Sequence, residues 1–162
     1  MLGASATVTD QRETPSAVHL EPVTADNVRA VCDLRVAPEQ ESFVTPNAIS
    51  LAEAYVHPQA WCRAVRAGDE LVGFVMLHDS AAGPGYMLWR LMIDARFQGR
   101  GLGRQVVHQV IDHVRTRPGA TELKVSAHRG EGAPGPFYEA LGFVATGEVI
   151  DDEEDVYALP LD

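Results

Sequence analysis

Arg96-Phe97-Gln98-Gly99-Arg100-Gly101-Leu102-Gly103-Arg104 stands between an apolar run, Tyr86 to Asp94, and a stretch with apolar residues at helical spacing, Val107, Val110, Ile111 and Val114. Glycines at alternate positions let the chain turn tightly and bring several backbone N–H groups to bear on one point. The start of the following helix adds unpaired donors and a partial positive charge. The segment therefore reads as a seat for a diphosphate, with Arg96, Arg100 and Arg104 around it in a chain of net charge −10. A dinucleotide-binding turn needs G-x-G-x-x-G and an acidic residue about 20 residues later, and a P-loop needs Gly-Lys-Ser/Thr. Neither pattern is cleanly present, because the glycines fall at 99, 101 and 103.

Working outward from this turn, strand and helix signals alternate. Val18-His19-Leu20 reads as a short strand, and Thr24 is placed to cap a helix through Val28, Val31 and Cys32. Pro38 to Asn47 reads as irregular, after which Ser50 and Glu53 fit a capping box for a helix that Pro58 ends after His57. Trp61 to Ala67 and Leu71 to His78 read as strands joined at Gly68-Asp69-Glu70. Beyond a Gly/Pro loop at Ala81 to Gly85, the run Tyr86 to Asp94 is expected to be a central strand covered on both faces. On the other side of the turn, Pro118-Gly119 closes the amphipathic helix and Glu122 to Ala127 forms a strand. A short helix around Phe137 to Leu141 ends at Gly142, and Phe143 to Val149 and Val156 to Leu159 are the last strands. No repeat or linker divides the chain, so the expectation is a single α/β (α+β) domain over 18–162 behind a loose tail at 1–17.

Composition narrows the function. The chain has 162 residues, 46% of them hydrophobic, enough for one packed core. Thirteen Lys plus Arg against 23 Asp plus Glu argue against a nucleic-acid partner and favour cationic small molecules. Cys32 and Cys62 fit no metal or redox spacing and read as reduced thiols. No apolar run approaches the ~20 residues that span a bilayer, and the N-terminus lacks a secretory pattern, so no membrane partner and a cytoplasmic location are expected. The six histidines are scattered, with His108 and His113 off a common helix face, and no metal is expected.

Gln98-x-x-Gly101-x-Gly103 resembles the Q/R-x-x-G-x-G/A signature of the GNAT family of N-acetyltransferases, and Phe137-Tyr138-Glu139-Ala140-Leu141-Gly142-Phe143 is similar to that family's F/L-Y-x-x-x-G-F segment. The resemblance extends over roughly residues 18 to 161. It implies a mixed central sheet of about six to seven strands with helices on both faces and a cofactor cleft between splayed parallel strands. It also implies direct attack by an amine on acetyl-coenzyme A in a ternary complex. Leu91, Met92 and Ile93 would pair with the pantetheine arm, a main-chain N–H at Met92 would face the thioester oxygen, and Gln98, Gly99, Arg100, Gly101, Leu102, Gly103 and Arg104 would hold the diphosphate. Tyr138 matches the tyrosine that protonates the departing thiolate. Many relatives carry a Glu where this chain has Met87 and Leu88, and an Asn in the loop that here reads His128 to Pro134. The base therefore has no assigned position. Glu41 and Glu53, in the segment that shapes the acceptor pocket, are the candidates, and Asp94 reads as structural.

The blocks Gln40 to Val44, Trp89 to Asp94 and Gly135 to Tyr138 look similar to bacterial spermine/spermidine acetyltransferases. A polyamine would place ammonium groups on Glu41 and Glu53 and its methylenes on Phe43, Tyr55 and Trp61, with Asp151 to Asp155 drawing it in. Other readings of the same motifs are acetylation of a protein N-terminus, a lysine or an antibiotic amine, and a non-catalytic module that senses acetyl-coenzyme A. A homodimer is compatible with the resemblance.

Overall fold

The computed structural model describes residues 16–80 and 85–162. Most of the expected tail, and the loop residues 81–84, lie outside the described residues. Strands β1 (Val18–Pro22), β2 (Ala60–Ala67), β3 (Glu70–His78), β4 (Met87–Ile93), β5 (Glu122–His128), β6 (Val144–Ile150) and β7 (Glu154–Pro160) form a 7-stranded sheet ordered β1-β2-β3-β4-β5-β7-β6. Neighbours are antiparallel except β4 and β5, which run parallel. The helices are α1 (Val28–Asp33), α2 (Asn47–Val56), α3 (Leu102–Arg115) and α4 (Gly135–Ala140).

Each face of the sheet has its own apolar layer. Under α3, the side chains of Val106, Val107, Val110 and Val114 meet Val75, Leu77, Leu88 and Val125, and Tyr138 of α4 joins them. The opposite layer joins Val31 and Leu34 to Phe74, Met76 and Met92, with Leu51 and Ala54 of α2 packed against them. Each fully buried Val or Leu of this kind contributes roughly 1.5–3 kcal/mol, so the α3 stripe is a principal anchor of the fold.

Three local expectations change. Thr24 opens a turn instead of capping α1: its carbonyl accepts from Val28 N at 2.9 Å, while its N–H donates to Asn27 Oδ1. Pro38–Phe43 is a 3-10 helix, not an irregular stretch. Ser50 and Glu53 form no capping box, because α2 begins a turn earlier at Asn47, with Pro46 at its N-cap and Ser50 buried inside it. Asn47 is held there by its side chain, whose Nδ2 donates to the Val31 carbonyl at 2.9 Å.

β4 carries the irregularity that makes a site. Leu88 pairs with Leu77 and Arg90 with Met76, so Trp89 is an extra residue facing no partner. Such a bulge flips the alternation. Leu88 and Leu91, three positions apart, both face the α3 layer, while Trp89 and Met92 face the other. The edge of His57 and the tilted ring of His78 pack on the Trp89 indole, at 5.7 and 4.9 Å between centroids. Strand β5 pairs with β4 only before the bulge, at Met87↔Lys124 and Leu88↔Val125. Beyond it the two parallel strands part.

Gly73 sets how closely β3 approaches this strand. A Cβ there would lie 2.4 Å from the Met92 carbonyl oxygen and 2.9 Å from Ile93 Cδ1. Backbone cannot give way as a side-chain tip can. Gly73→Ala is therefore expected to cost about 2–3 kcal/mol and to lower Tm by roughly 5–10 °C in a scanning melt.

Candidate active site

The parting of β4 and β5 opens a cleft of about 760 Å³, a size suited to a cofactor-like ligand. Its walls are β4, β5, the glycine turn and α4. Main-chain direction along β4 follows from one bond: Asp94 N donates to the Val72 carbonyl of β3 at 2.8 Å. Antiparallel pairing alternates, so Met92, opposite Phe74, also turns its N–H and carbonyl toward β3. The expectation of a Met92 N–H in the cleft is thus corrected by one residue. Leu91 and Ile93 are the residues whose main-chain groups face the gap.

The glycine turn lies at the end of that wall. Gly99 and Gly101 have φ of 77° and 75°, a region in which a β-carbon is disfavoured. Gly101 is the N-cap of α3 and supplies no side-chain cap, which leaves the first-turn N–H groups of a 14-residue helix open for an anion. An ideal Cβ on Gly99 or Gly101 meets nothing within 4 Å, so the space above them is clear. Free donors, open space and the cleft-lining Arg104 fit a diphosphate. Gln98 lines the same wall but acts as a brace, its Nε2 donating to the Ile93 carbonyl at 2.8 Å and to Gln40 Oε1 at 2.7 Å.

The other two arginines do not surround the seat as expected. Arg100 is absent from the cleft lining, and its guanidinium sits 5.6 Å from the Phe97 ring centre. Arg96 pairs with Asp94 at 2.8 Å. Asp94 is structural as expected. Burial works to raise its pKa, but the Arg96 side chain and the N–H groups of Arg35 and Arg96 hold the carboxyl below its ordinary value.

The acceptor-side expectations divide. Phe43 and Tyr138 line the cleft, but Glu41 and Glu53 do not. Glu41 is exposed, and Glu53 is committed to Arg90, with Oε2 at 3.2 Å from a guanidinium nitrogen. Tyr55 is 91% exposed, and Trp61 lies in the α3 layer with its ring stacked 4.4 Å from His113, so neither can line a methylene stem in the cleft. The cleft's carboxylates come instead from the β6–β7 hairpin: Asp151, Glu153 and Glu154. His128, at the end of β5, lines it too and was missed in the sequence, because nothing local marks it.

Residues 20–143 match the family model described as acetyltransferase (GNAT) family. The chain belongs to the GNAT family of acetyltransferases. As a GNAT enzyme it takes its acetyl group from acetyl-coenzyme A, the co-substrate that the diphosphate seat and the strand edge suit. Among curated proteins it is similar to a spermine/spermidine N(1)-acetyltransferase of Bacillus subtilis (strain 168), 28% identical over 145 residues, or 82% of this chain and 91% of that protein. Among solved structures, a spermidine N-acetyltransferase from Vibrio cholerae, in complex with CoA and spermine, superposes with a TM-score of 0.69 at 17% identity, covering 90% and 96% of the two chains. The ribosomal-protein-S18-alanine N-acetyltransferase of Escherichia coli gives 0.66 at 16% identity, covering 90% and 94%. At such identities these structures establish the GNAT fold of this chain and leave its acceptor to the cleft itself.

Proposed function

We propose that this GNAT enzyme acetylates a primary amine of a polyamine such as spermidine or spermine. One observation carries the reading: Asp151, Glu153 and Glu154 all line the cleft that Tyr138 and Phe43 share. A second favours it. Asp151 and Asp152 hold φ of 50° and 60° at the centre of a turn closed by Glu153 N to the Ile150 carbonyl at 3.0 Å. A turn with positive φ at both central residues is best served by Asn-Gly or Asp-Gly, and a non-glycine residue at the second position carries strain of roughly 1 kcal/mol or more. Asp152 is a carboxylate where such a turn prefers glycine, which adds negative charge beside the cleft-lining Asp151 and Glu153. The similarity to the Bacillus subtilis enzyme points the same way.

In this reading the amine attacks the thioester from the Phe43 side, and the Leu91 N–H faces the oxyanion that develops. The diphosphate rests on Gly99 to Arg104, and Tyr138 protonates the leaving thiolate. Asp151→Asn with Asp152→Gly tests the acceptor. The pair relieves the turn, so Tm is expected to hold or rise, while kcat/KM for spermine falls about ten-fold at low salt and that for a simple monoamine stays put. Unchanged spermine turnover, or equal turnover of a peptide N-terminus or an aminoglycoside by the parent enzyme, would overturn the polyamine assignment.

A further inference from the structure

His128 and Glu154 form a dyad whose position on the sheet gives it a task. Along β5 the side chains of Leu123, Val125 and Ala127 are buried in the α3 layer. Strand alternation turns Ser126 and His128 to the opposite face. There the His128 ring lies 6.4 Å from that of Phe43, on the side where the proposed function places the entering amine. Tyr138 belongs to the α3 layer, so the phenol and the imidazole approach the gap from its two sides.

The partner of His128 is fixed by the fold. His128 and Glu154 face each other in the β5–β7 register, and His128 Nε2 stands 3.2 Å from Glu154 Oε1. Arg129, next in the chain, is spent on Asp155, with contacts of 2.8 and 2.5 Å, and so does not compete for Glu154. Glu154 forms an ion pair at Nε2 when the ring is protonated, and Nδ1 is the nitrogen left to take an incoming proton. The other charged groups that line the cleft are Asp151 and Glu153 of the hairpin, Arg90 on β4 and Arg104 at the glycine turn, while Glu39 and Glu41 lie outside the lining on the 3-10 helix that carries Phe43.

We infer that His128, oriented by Glu154, is the base that accepts the proton of the acceptor ammonium. That proton passes to Nδ1. The freed lone pair forms the C–N bond to the acetyl carbon, and the C–S bond breaks. The thiolate takes the phenol proton of Tyr138, the remaining extra proton on nitrogen restores the phenol, and His128 gives its own proton to water. The net products are an acetamide, a thiol and one proton. Glu154 is a positioning residue in this scheme, and Asp151 and Glu153 remain to meet the acceptor's other charges. The inference shares with the proposed function the side from which the amine enters, and it does not depend on which amine enters.

The test is His128→Gln, assayed with spermine and with a monoamine. At neutral pH kcat/KM for both amines is expected to fall about 100-fold, while calorimetry shows acetyl-coenzyme A affinity within about two-fold of the parent. The variant's kcat/KM should keep climbing past about pH 9 as free amine becomes abundant in solution, so its deficit against the parent should shrink as pH rises. Glu154→Gln should lower kcat for both amines about ten-fold and leave KM and acetyl-coenzyme A affinity within about two-fold. A His128→Gln enzyme within about three-fold of the parent from pH 6 to 9 overturns the inference. If that variant loses acetyl-coenzyme A binding, Glu154→Gln decides: a kcat equal to the parent's for both amines also overturns it. Loss of spermine preference with the monoamine rate intact would instead count against the polyamine reading alone.

Discussion

Tyr138→Phe is expected to lower kcat at least about 100-fold and to leave coenzyme A affinity within about two-fold, as single-turnover kinetics and calorimetry would show. The ring has reasons to stay where it is. Tyr138 is 6% exposed, and its ring packs edge-on against Phe137 at 5.1 Å and Phe143 at 5.6 Å between centroids. Its backbone carbonyl also closes α4, accepting from Leu141 N at 3.0 Å and Phe143 N at 3.1 Å. Phenylalanine keeps all of this and removes only the hydroxyl. Burial pushes the Tyr138 phenol well above its ordinary value near 10, so the group stays protonated through any practical assay range. A basic limb in the parent's pH profile below about pH 10 would therefore belong to another group. A raised pKa also makes the phenol a weaker acid, so its proton moves readily only if another proton replaces it at once. In the proposed reaction the nitrogen of the collapsing adduct would supply that proton. A purely acetyl-coenzyme A-sensing module would show no change, so an unaltered rate in Tyr138→Phe removes the catalytic role.

The parts of the molecule legible in the sequence are those written in local punctuation. Glycines at 99, 101 and 103 between an apolar run and an amphipathic stretch mark a strand, a turn and a helix, and α3 and the seat follow. The bulge at Trp89 leaves no such mark. Met87 to Ile93 is apolar at every position but Arg90, too little contrast for a broken alternation to show, yet the bulge decides which main-chain groups face the cleft. That is why a cleft-facing N–H is expected at Met92 from the sequence and lies at Leu91 in the structure. The capping-box pattern at Ser50 and Glu53 failed for a tertiary reason, since Asn47 reaches across to Val31 and starts α2 early. Glu53 looked free in the sequence because Arg90, 37 residues away, is brought to it only by the sheet. His128 and Glu154 are likewise joined only by the β5–β7 register. Pairings at such separation carry no local signal.

Gly101→Val and Gly119→Val form a matched pair whose difference isolates the diphosphate seat. Both glycines have positive φ, 75° and 67°, and an ideal Cβ at either meets nothing within 4 Å. The cost of holding a β-branched residue in that conformation is therefore alike at both, about 1–2 kcal/mol, and both variants should lose roughly 3–6 °C of Tm. Their surroundings differ. Gly119 closes the loop after α3, away from the cleft, whereas Gly101 caps the start of α3 and lines the cleft. A valine at 101 projects into the clear space above the open N–H groups and keeps an anion from reaching them. Losing one or two charge-assisted hydrogen bonds, at about 1.5–3 kcal/mol each, predicts a rise of about 10-fold or more in the Kd for coenzyme A, measured by calorimetry. Dephospho-coenzyme A, which keeps the diphosphate and lacks the ribose phosphate, should show the same loss. Gly119→Val should bind both ligands as the parent does. If the two variants weaken binding equally, the loss reflects general destabilisation and the seat lies elsewhere; if only Gly101→Val does so, the open main chain at the start of α3 is what holds the diphosphate.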